Sequence, residues 1–162
     1  MKAKLFSVAA LCLLALSATL FTACDKEDSD VTKPVIKLKE PEKGDSLLIG
    51  DPHGVHLEME LSDNVMLKSY KIDVHNNFDG HSHTKSGDGT KPFSFAKEYD
   101  LSGKREAHIH HHDIKIPKDA TPGKYHLMIY CTDAAGNESH VACDVVLSTT
   151  AKPHDHHGHD HH

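Results

Sequence analysis

The sequence predicts an all-β domain, built as an antiparallel β-sandwich of about seven strands. Apolar and polar residues alternate along several short segments, which is the period of a half-buried strand. Clusters of Gly, Pro, Asn and Asp separate these segments, and no segment combines a helical period with helix caps. Short strands between regular turn signals are typical of a sandwich. About 115 residues form this domain, enough for one hydrophobic core.

Seven segments carry the strand pattern, and the second is the clearest. In it Val55, Leu57 and Met59 alternate with polar side chains. Pro117 ends the fifth segment, since proline interrupts a strand. The segments are 35–38, 55–61, 69–74, 92–99, 106–117, 124–132 and 140–148.

The N-terminus predicts export and a lipid anchor. Residues 1–23 combine two lysines with an apolar stretch too short to span a bilayer, which is typical of a signal peptide. The sequence LFTAC resembles the lipobox of bacterial lipoproteins, which implies lipidation of Cys24. An ordinary secretory signal with an incidental cysteine is the alternative. We expect residues 24–33 to be an acidic tether, residues 34–150 the domain and residues 151–162 a disordered tail.

The compartment follows from the same region. Lys26-Glu27-Asp28 resembles the signal that sends Bacteroidetes lipoproteins to the outer face of the outer membrane. We therefore expect an outer-membrane lipoprotein that is exposed at the cell surface, with the periplasmic face as the alternative. Removing Lys2 and Lys4 with the signal peptide changes the formal net charge of the chain from −6 to −8. An acidic chain without a basic patch argues against nucleic acid as a partner.

Two cysteines remain within the domain. Cys131 and Cys143 lie equally far from a turn near Gly136-Asn137, so they could face one another across a hairpin. We expect a disulfide in the exported protein, with two buried thiols or a thiolate metal pair as the alternatives.

Several motifs resemble known families. LSDNVMLKSYKIDV and GKYHLMIYCTDAAGNESHVACDVVL resemble strands B–C and F–G of bacterial immunoglobulin-like domains. KIDVHNNFDGHSH, HHHDIKIP and GKYH together resemble a family of His-rich Bacteroidetes lipoproteins of unknown function. This resemblance covers about residues 33–148 and implies an immunoglobulin-like sandwich. It implies no activity.

Histidine is the unusual component of the composition, at 17 of 162 residues. Neutral imidazole is a common ligand of borderline transition metals. His81-x-His83 places two rings on one side of an extended chain, which suits a shared metal ion. A solvated turn with incidental histidines is the alternative. The predicted ligands are His75, His81 and His83, followed by Asp79, His110, His112 and His126.

The immunoglobulin-like topology predicts where these residues lie. The end of strand C, the start of F, the end of E, the start of B and the end of G share one pole. His75, His126, His53 and His56 therefore belong to that pole, whereas the N-terminal tether enters at the opposite one. The tail HDHHGHDHH also leaves from the histidine pole, and we expect it to collect metal weakly.

The HIHHH sequence leaves two interpretations open. With regular alternation, His108, His110 and His112 share a face with the apolar Ile114 and Ile116. Either some of these histidines are buried and hydrogen-bonded, or a β-bulge changes the register.

We therefore expect a lipid-anchored envelope protein that binds a divalent transition metal for capture, buffering or delivery. Zinc is the preferred ion, and nickel or copper(II) fit the same ligands. Expected partners are the metal, the bilayer and an outer-membrane transporter. The alternative is a non-catalytic immunoglobulin-like module that contacts an outer-membrane partner, with metal only structural. A metallohydrolase is disfavoured because no hydrolase motif is present, so we expect no enzyme.

Overall fold

The computed structural model describes residues 30–77 and 90–153, and all regular secondary structure in these ranges is β-strand. The signal peptide, Cys24, Asp79, His81 and His83 lie outside the described residues. The strands are β1 Val35–Glu40, β2 Ser46–Leu48, β3 Val55–Ser62, β4 Leu67–Asn76, β5 Phe95–Asp100, β6 Glu106–Ile114, β7 Gly123–Asp133 and β8 Glu138–Ser148.

The strands form two sheets. One has three strands in the order β1-β3-β6, and the other has five in the order β2-β8-β7-β4-β5. Neighbouring strands are antiparallel, except that β2 runs parallel to β8. This arrangement confirms the predicted immunoglobulin-like β-sandwich, in which the two sheets correspond to strands A-B-E and to strands A′-G-F-C-C′. The short β2 is the strand that the sequence pattern did not predict.

The core lies between the two sheets and follows from alternation in the central strands. Leu57 and Met59 of β3 are fully buried, and so are Ile72 of β4 and Ile129 of β7. Their sequence neighbours point outward, so each sheet presents one apolar and one polar face. The outward faces carry the histidines and carboxylates that form the candidate site.

Tyr125 fixes the connection between the sheets at the start of β7. Its side chain is fully buried, and its hydroxyl group donates a hydrogen bond to the carbonyl of Thr121 (2.8 Å). The same hydroxyl oxygen accepts a hydrogen bond from the backbone N–H of Phe93 (3.1 Å). A tyrosine at this corner that bonds to the backbone a few residues upstream is a hallmark of immunoglobulin-like sandwiches.

The expected disulfide is wrong, because Cys131 and Cys143 are both free, buried thiols. In the β7–β8 ladder Cys131 lies opposite Ser139, whereas Cys143 lies opposite Leu127. This offset of four residue pairs separates the cysteines by about 13 Å, and disulfide-bonded Cα atoms lie only about 4.4–6.8 Å apart. Burial raises the pKa of the Cys131 thiol to about 11, so this thiol stays protonated at neutral pH.

The described residues include no helix that is long and apolar enough to cross a membrane.

We expect Tyr125→Phe to lower the free energy of unfolding by about 1–3 kcal/mol, because two buried backbone groups lose their hydrogen-bond partner. Urea unfolding followed by circular dichroism measures this change. Tyr130→Phe is the matched control, since Tyr130 lies on the outward face of the same strand. An equal and small effect of both substitutions would contradict the role assigned to the Tyr125 hydroxyl.

Candidate metal centre

A β-bulge in β6 decides which way its histidines point. Leu57 of β3 pairs with His111, but Val55 pairs with Ile114, so β6 contains one extra residue between the two pairs. The bulge returns Ile114 to the core and leaves His108 and His110 exposed on the outer face of the three-stranded sheet. Of the two interpretations of HIHHH, the bulge is therefore the one observed.

Gly54 allows the chain to pass close to this bulge. Its φ is +83°, a conformation that L side chains rarely adopt. A Cβ atom at this position would lie 2.5 Å from the backbone oxygen of His112 and 3.0 Å from that of Ile114. Glycine is thus required both by the backbone conformation and by the contact with β6.

Three histidines come together beside the bulge. His56 of β3 lies next to His110 and His112 of β6, and one ring nitrogen from each lies within 4.8 Å of the others. The ring centroids are 4.8 Å apart for His56 and His110, 5.0 Å for His56 and His112, and 5.6 Å for His110 and His112. In a tetrahedral zinc site the ligand nitrogens lie about 3.3–3.5 Å apart, so small side-chain rotations would complete the geometry.

Two nitrogens of this cluster are shielded from solvent. The atoms Nδ1 of His56 and Nε2 of His112 are both buried, whereas His110 is exposed. A neutral imidazole nitrogen is a common zinc ligand. The cluster therefore has a shielded side and a side that is open to solvent.

Glu58 lies next to the cluster and connects it to the rest of the outer face. One carboxylate oxygen is 3.7 Å from Nε2 of His56, and the other is 3.2 Å from Nε2 of His108. Lys39 of β1 donates a hydrogen bond to the same carboxylate (3.3 Å). Hydrogen bonds from His108 and Lys39 hold the pKa of Glu58 below its ordinary value, so it is ionised at neutral pH. A carboxylate in this position can orient a metal-binding imidazole.

A second pair of histidines lies on the outer face of the other sheet. His75 of β4 and His126 of β7 occupy paired positions, with ring centroids 5.6 Å apart. Nδ1 of His75 is 2.8 Å from a carboxylate oxygen of Asp73, and Nδ1 of His126 is 2.9 Å from a carboxylate oxygen of Asp144. Each ring is therefore oriented by a carboxylate.

The described ligand candidates thus occupy two places rather than one. His110 and His112 lie on the three-stranded sheet, whereas His75 and His126 lie on the five-stranded sheet. Both pairs lie toward the pole at which β3 and β7 begin and β4 and β6 end, as the topology predicted. Asp79, His81 and His83 lie outside the described residues, so their part in a site stays a prediction.

His56 is the candidate ligand that the sequence-based set omitted. It was placed at the correct pole, but nothing local connects it to HIHHH more than 50 residues later. The signal that could have found it is the alternation in β3, which points His56 outward, together with the pairing of strands B and E in immunoglobulin-like domains.

The domain of unknown function DUF4625 matches residues 22–148 of this sequence. The chain belongs to the DUF4625 family. Among solved structures, it is similar to the fibronectin(III)-like modules of Clostridium thermocellum CbhA, with 13% sequence identity. That match covers 73% of this chain and 100% of the other, with a TM-score of 0.36. No curated protein matches the chain.

A groove at the histidine pole of this DUF4625 chain borders the cluster. Its volume is about 540 Å³, and His56 is part of its lining. Four acidic side chains line it as well, together with Lys152 and Pro153, which directly precede the His/Asp-rich tail. The acidic residues are Glu40, Glu42, Asp45 and Asp51. The groove therefore joins a carboxylate-rich surface to the cluster and to the start of the tail.

His111 differs from its neighbours because its side chain lies against tyrosines of the other sheet. Its Nε2 atom lies 3.2 Å from the hydroxyl group of Tyr70, and its ring lies against Tyr99, with centroids 5.1 Å apart. Tyr99 in turn donates a hydrogen bond to Asp113 (2.8 Å), which also binds Lys97. This group of side chains connects β5 of one sheet with β6 of the other, so His111 has a structural role.

We expect Gly54→Ala to lower the free energy of unfolding by about 2–4 kcal/mol. The left-handed conformation costs an alanine about 1–2 kcal/mol, and the contact with the backbone of β6 adds a further penalty typical of overpacking. Gly103→Ala is the matched control, because Gly103 has φ +82° but no atom within 4 Å of its added Cβ. Urea unfolding should show a clearly smaller loss for Gly103→Ala. Equal losses would mean that the close approach to β6 has no energetic consequence.

We expect His111 to make the DUF4625 domain less stable in acid. Burial lowers the pKa of His111 below its ordinary value of 6.5. Below pH 6.5 the unfolded chain therefore takes up a proton that the folded chain does not, and stability falls until the pH passes the lowered folded value. Unfolding free energies at pH 7.5 and 5.0 measure this loss.

His111→Gln should reduce the difference in stability between the two pH values. His140→Gln serves as the control, since His140 is exposed and lies near the opposite end of the sandwich. The assignment fails when both variants lose as much stability in acid as the original chain.

Proposed function

We propose that this DUF4625 protein is a non-catalytic binding protein for a divalent transition metal, with zinc as the preferred ion. The observation that carries the proposal is the convergence of His56, His110 and His112 on two neighbouring strands. Three imidazoles on rigid strands supply three of the four ligands of a tetrahedral zinc ion. Nickel and copper(II) accept the same nitrogen ligands, so selectivity would depend on geometry and supply.

The exposure of His110 suits reversible binding. Three protein ligands leave a coordination position for water or for an incoming ligand, so that a metal ion can be passed on. Because only neutral imidazole binds metal, protonation in acid would release the ion. Capture at neutral pH and release in acid are the behaviour of a buffer or a carrier.

The surroundings of the cluster favour capture from solution. The acidic groove attracts cations, and His56 lies at its border. The tail begins next to Lys152 and Pro153 of this groove, so its histidines and aspartates are tethered close to the cluster. In this proposal the tail binds metal weakly and in many geometries, and the cluster binds it more tightly.

The pair His75 and His126 provides a second, weaker binding place. Both rings have Nδ1 next to a carboxylate, and a carboxylate in this position can orient a metal-binding imidazole. The predicted ligands Asp79, His81 and His83 follow His75 closely in the sequence. We propose that they complete this second place.

The proposed location is the outer membrane. A lipid on Cys24 would hold the chain at the bilayer, and residues 30–34 join the sandwich at the pole opposite to the histidines. The cluster would then face away from the membrane, toward the medium at the cell surface or toward a transporter that accepts the metal.

We expect the protein to bind one zinc ion tightly, in addition to weaker binding by the tail. The variant His110→Ala/His112→Ala should lose this tight site, with an affinity at least about 100-fold lower, because loss of an orienting group alone costs 10–100-fold. Isothermal titration at pH 7.5 with protein purified without metal-affinity resin measures the affinity and the stoichiometry.

His140→Ala is the matched control, since it removes a histidine from the same chain but away from the cluster. A tight site that survives in the double variant, or no site tighter than a His-rich peptide, would refute the proposal. Capture of an outer-membrane partner that is indifferent to chelator would instead favour the non-catalytic interaction module, with metal only structural.

A further inference from the structure

Three carboxylates converge at the pole opposite to the histidines. Asp30 precedes β1, Asp63 follows β3, and Asp133 ends β7. One carboxylate oxygen from each lies within 4.8 Å of the other two. The strand pairing brings them together, because the end of β3 meets the start of β1 and the end of β7 meets the start of β4.

Two of these carboxylates are buried without a counter-charge. Asp133 is 0% exposed and Asp63 is 9% exposed. None of the ion pairs between residues of the described ranges involves Asp30, Asp63 or Asp133. Burial of an ionised carboxylate is costly unless it is paired or binds a metal ion.

Hydrogen bonds account for part of the group. Both carboxylate oxygens of Asp133 accept hydrogen bonds from Asn137, one from the backbone N–H and one from the side-chain amide, each at 2.7 Å. Oδ1 of Asp30 accepts hydrogen bonds from the N–H of Thr32 (3.0 Å) and the amide of Asn64 (3.1 Å). These bonds orient the two carboxylates but supply no positive charge.

Asp63 differs because its two oxygens have different surroundings. Oδ2 accepts hydrogen bonds from the backbone N–H groups of Val65 (2.9 Å) and Met66 (2.8 Å). Oδ1 is buried and has no hydrogen-bond partner among the residues that the structure describes. Because Oδ2 already accepts two hydrogen bonds from the loop, Oδ1 is the oxygen of Asp63 that could bind a ligand shared by the three carboxylates.

We propose that Asp30, Asp63 and Asp133 form a binding site for a hard divalent cation, and that this cation is Ca²⁺. Oxygen atoms are the ligands that Ca²⁺ binds, and oxygens around one Ca²⁺ at about 2.3–2.6 Å lie within about 5 Å of one another. Mg²⁺ retains several of its water molecules, for which the two buried carboxylates leave little space. Zinc and copper(II) favour the imidazoles at the other pole.

The cation would connect three separate parts of the chain. It would bridge the segment before β1, the β3–β4 connection and the β7–β8 turn. Hydrogen bonds already tie the segment before β1 to this junction, among them one from the amide of Asn137 to the carbonyl of Asp30 (2.9 Å) and one from Ser139 to the carbonyl of Pro34 (2.6 Å). Ca²⁺ would therefore stiffen the junction at which the N-terminal segment enters the sandwich.

The test compares thermal unfolding of the purified full chain in EDTA and in 5 mM Ca²⁺. Ca²⁺ should raise the midpoint by about 5–10 °C, since a cation that binds only the folded chain stabilises it. Asp63→Asn should abolish the shift, and Asp30→Asn, which changes a less buried residue, should at least halve it. Should Asp63→Asn fail to fold, the decision rests on Asp30→Asn.

Two controls separate this site from other effects of the cation. Asp119→Asn removes an exposed carboxylate outside the group and should keep the full shift. His110→Ala/His112→Ala should keep it as well, so that loss of the proposed zinc site does not affect the outcome. The proposal is overturned when Ca²⁺ leaves the midpoint of the original chain unchanged, or when Asp30→Asn shifts as much as the original chain.

Discussion

The extra residue in β6 is the constraint on which the arrangement of the histidines depends. Without the bulge, His108, His110 and Ile114 would lie on the same face of the sheet. Either the two histidines would then point into the core, or Ile114 would point into solvent. With the bulge, the imidazoles point outward and Ile114 completes the core. Gly54 supports this arrangement from β3's side, because any side chain there would strike the backbone of the bulge.

The sandwich separates two kinds of ligand chemistry between its poles. The cluster of three imidazoles lies where β3 and β7 begin, and the group of three aspartates lies where the same strands end. Both groups depend on pairing between strands that are distant in sequence. Because imidazole suits borderline transition metals and carboxylate suits Ca²⁺, the two poles would bind their ions without competing for them.

Sequence patterns predicted the individual strands better than the register and the contacts between strands. Alternation identified β3 and β7, and turn motifs with the B–C and F–G resemblance identified the immunoglobulin-like order. Strand β2 was not predicted, because a segment of three residues is too short to show an alternating pattern. The disulfide prediction was wrong because symmetry about the turn does not determine register, and the β7–β8 ladder offsets Cys131 from Cys143. The sequence did not predict His56 as a ligand, nor the group of three aspartates. The histidine cluster and the aspartate group each bring together residues from separate strands or loops.

The pair His75 and His126 and the cluster of His56, His110 and His112 differ in the number of ligands that the fold brings together. Carboxylates lie beside His75 and His126 and orient their rings, but the described part of the chain brings no group of three ligands together there. The cluster of His56, His110 and His112 supplies three ligands, with Glu58 next to one of them. Because the entropy of gathering ligands is lost during folding rather than during binding, the three-histidine cluster should hold metal more tightly than the pair.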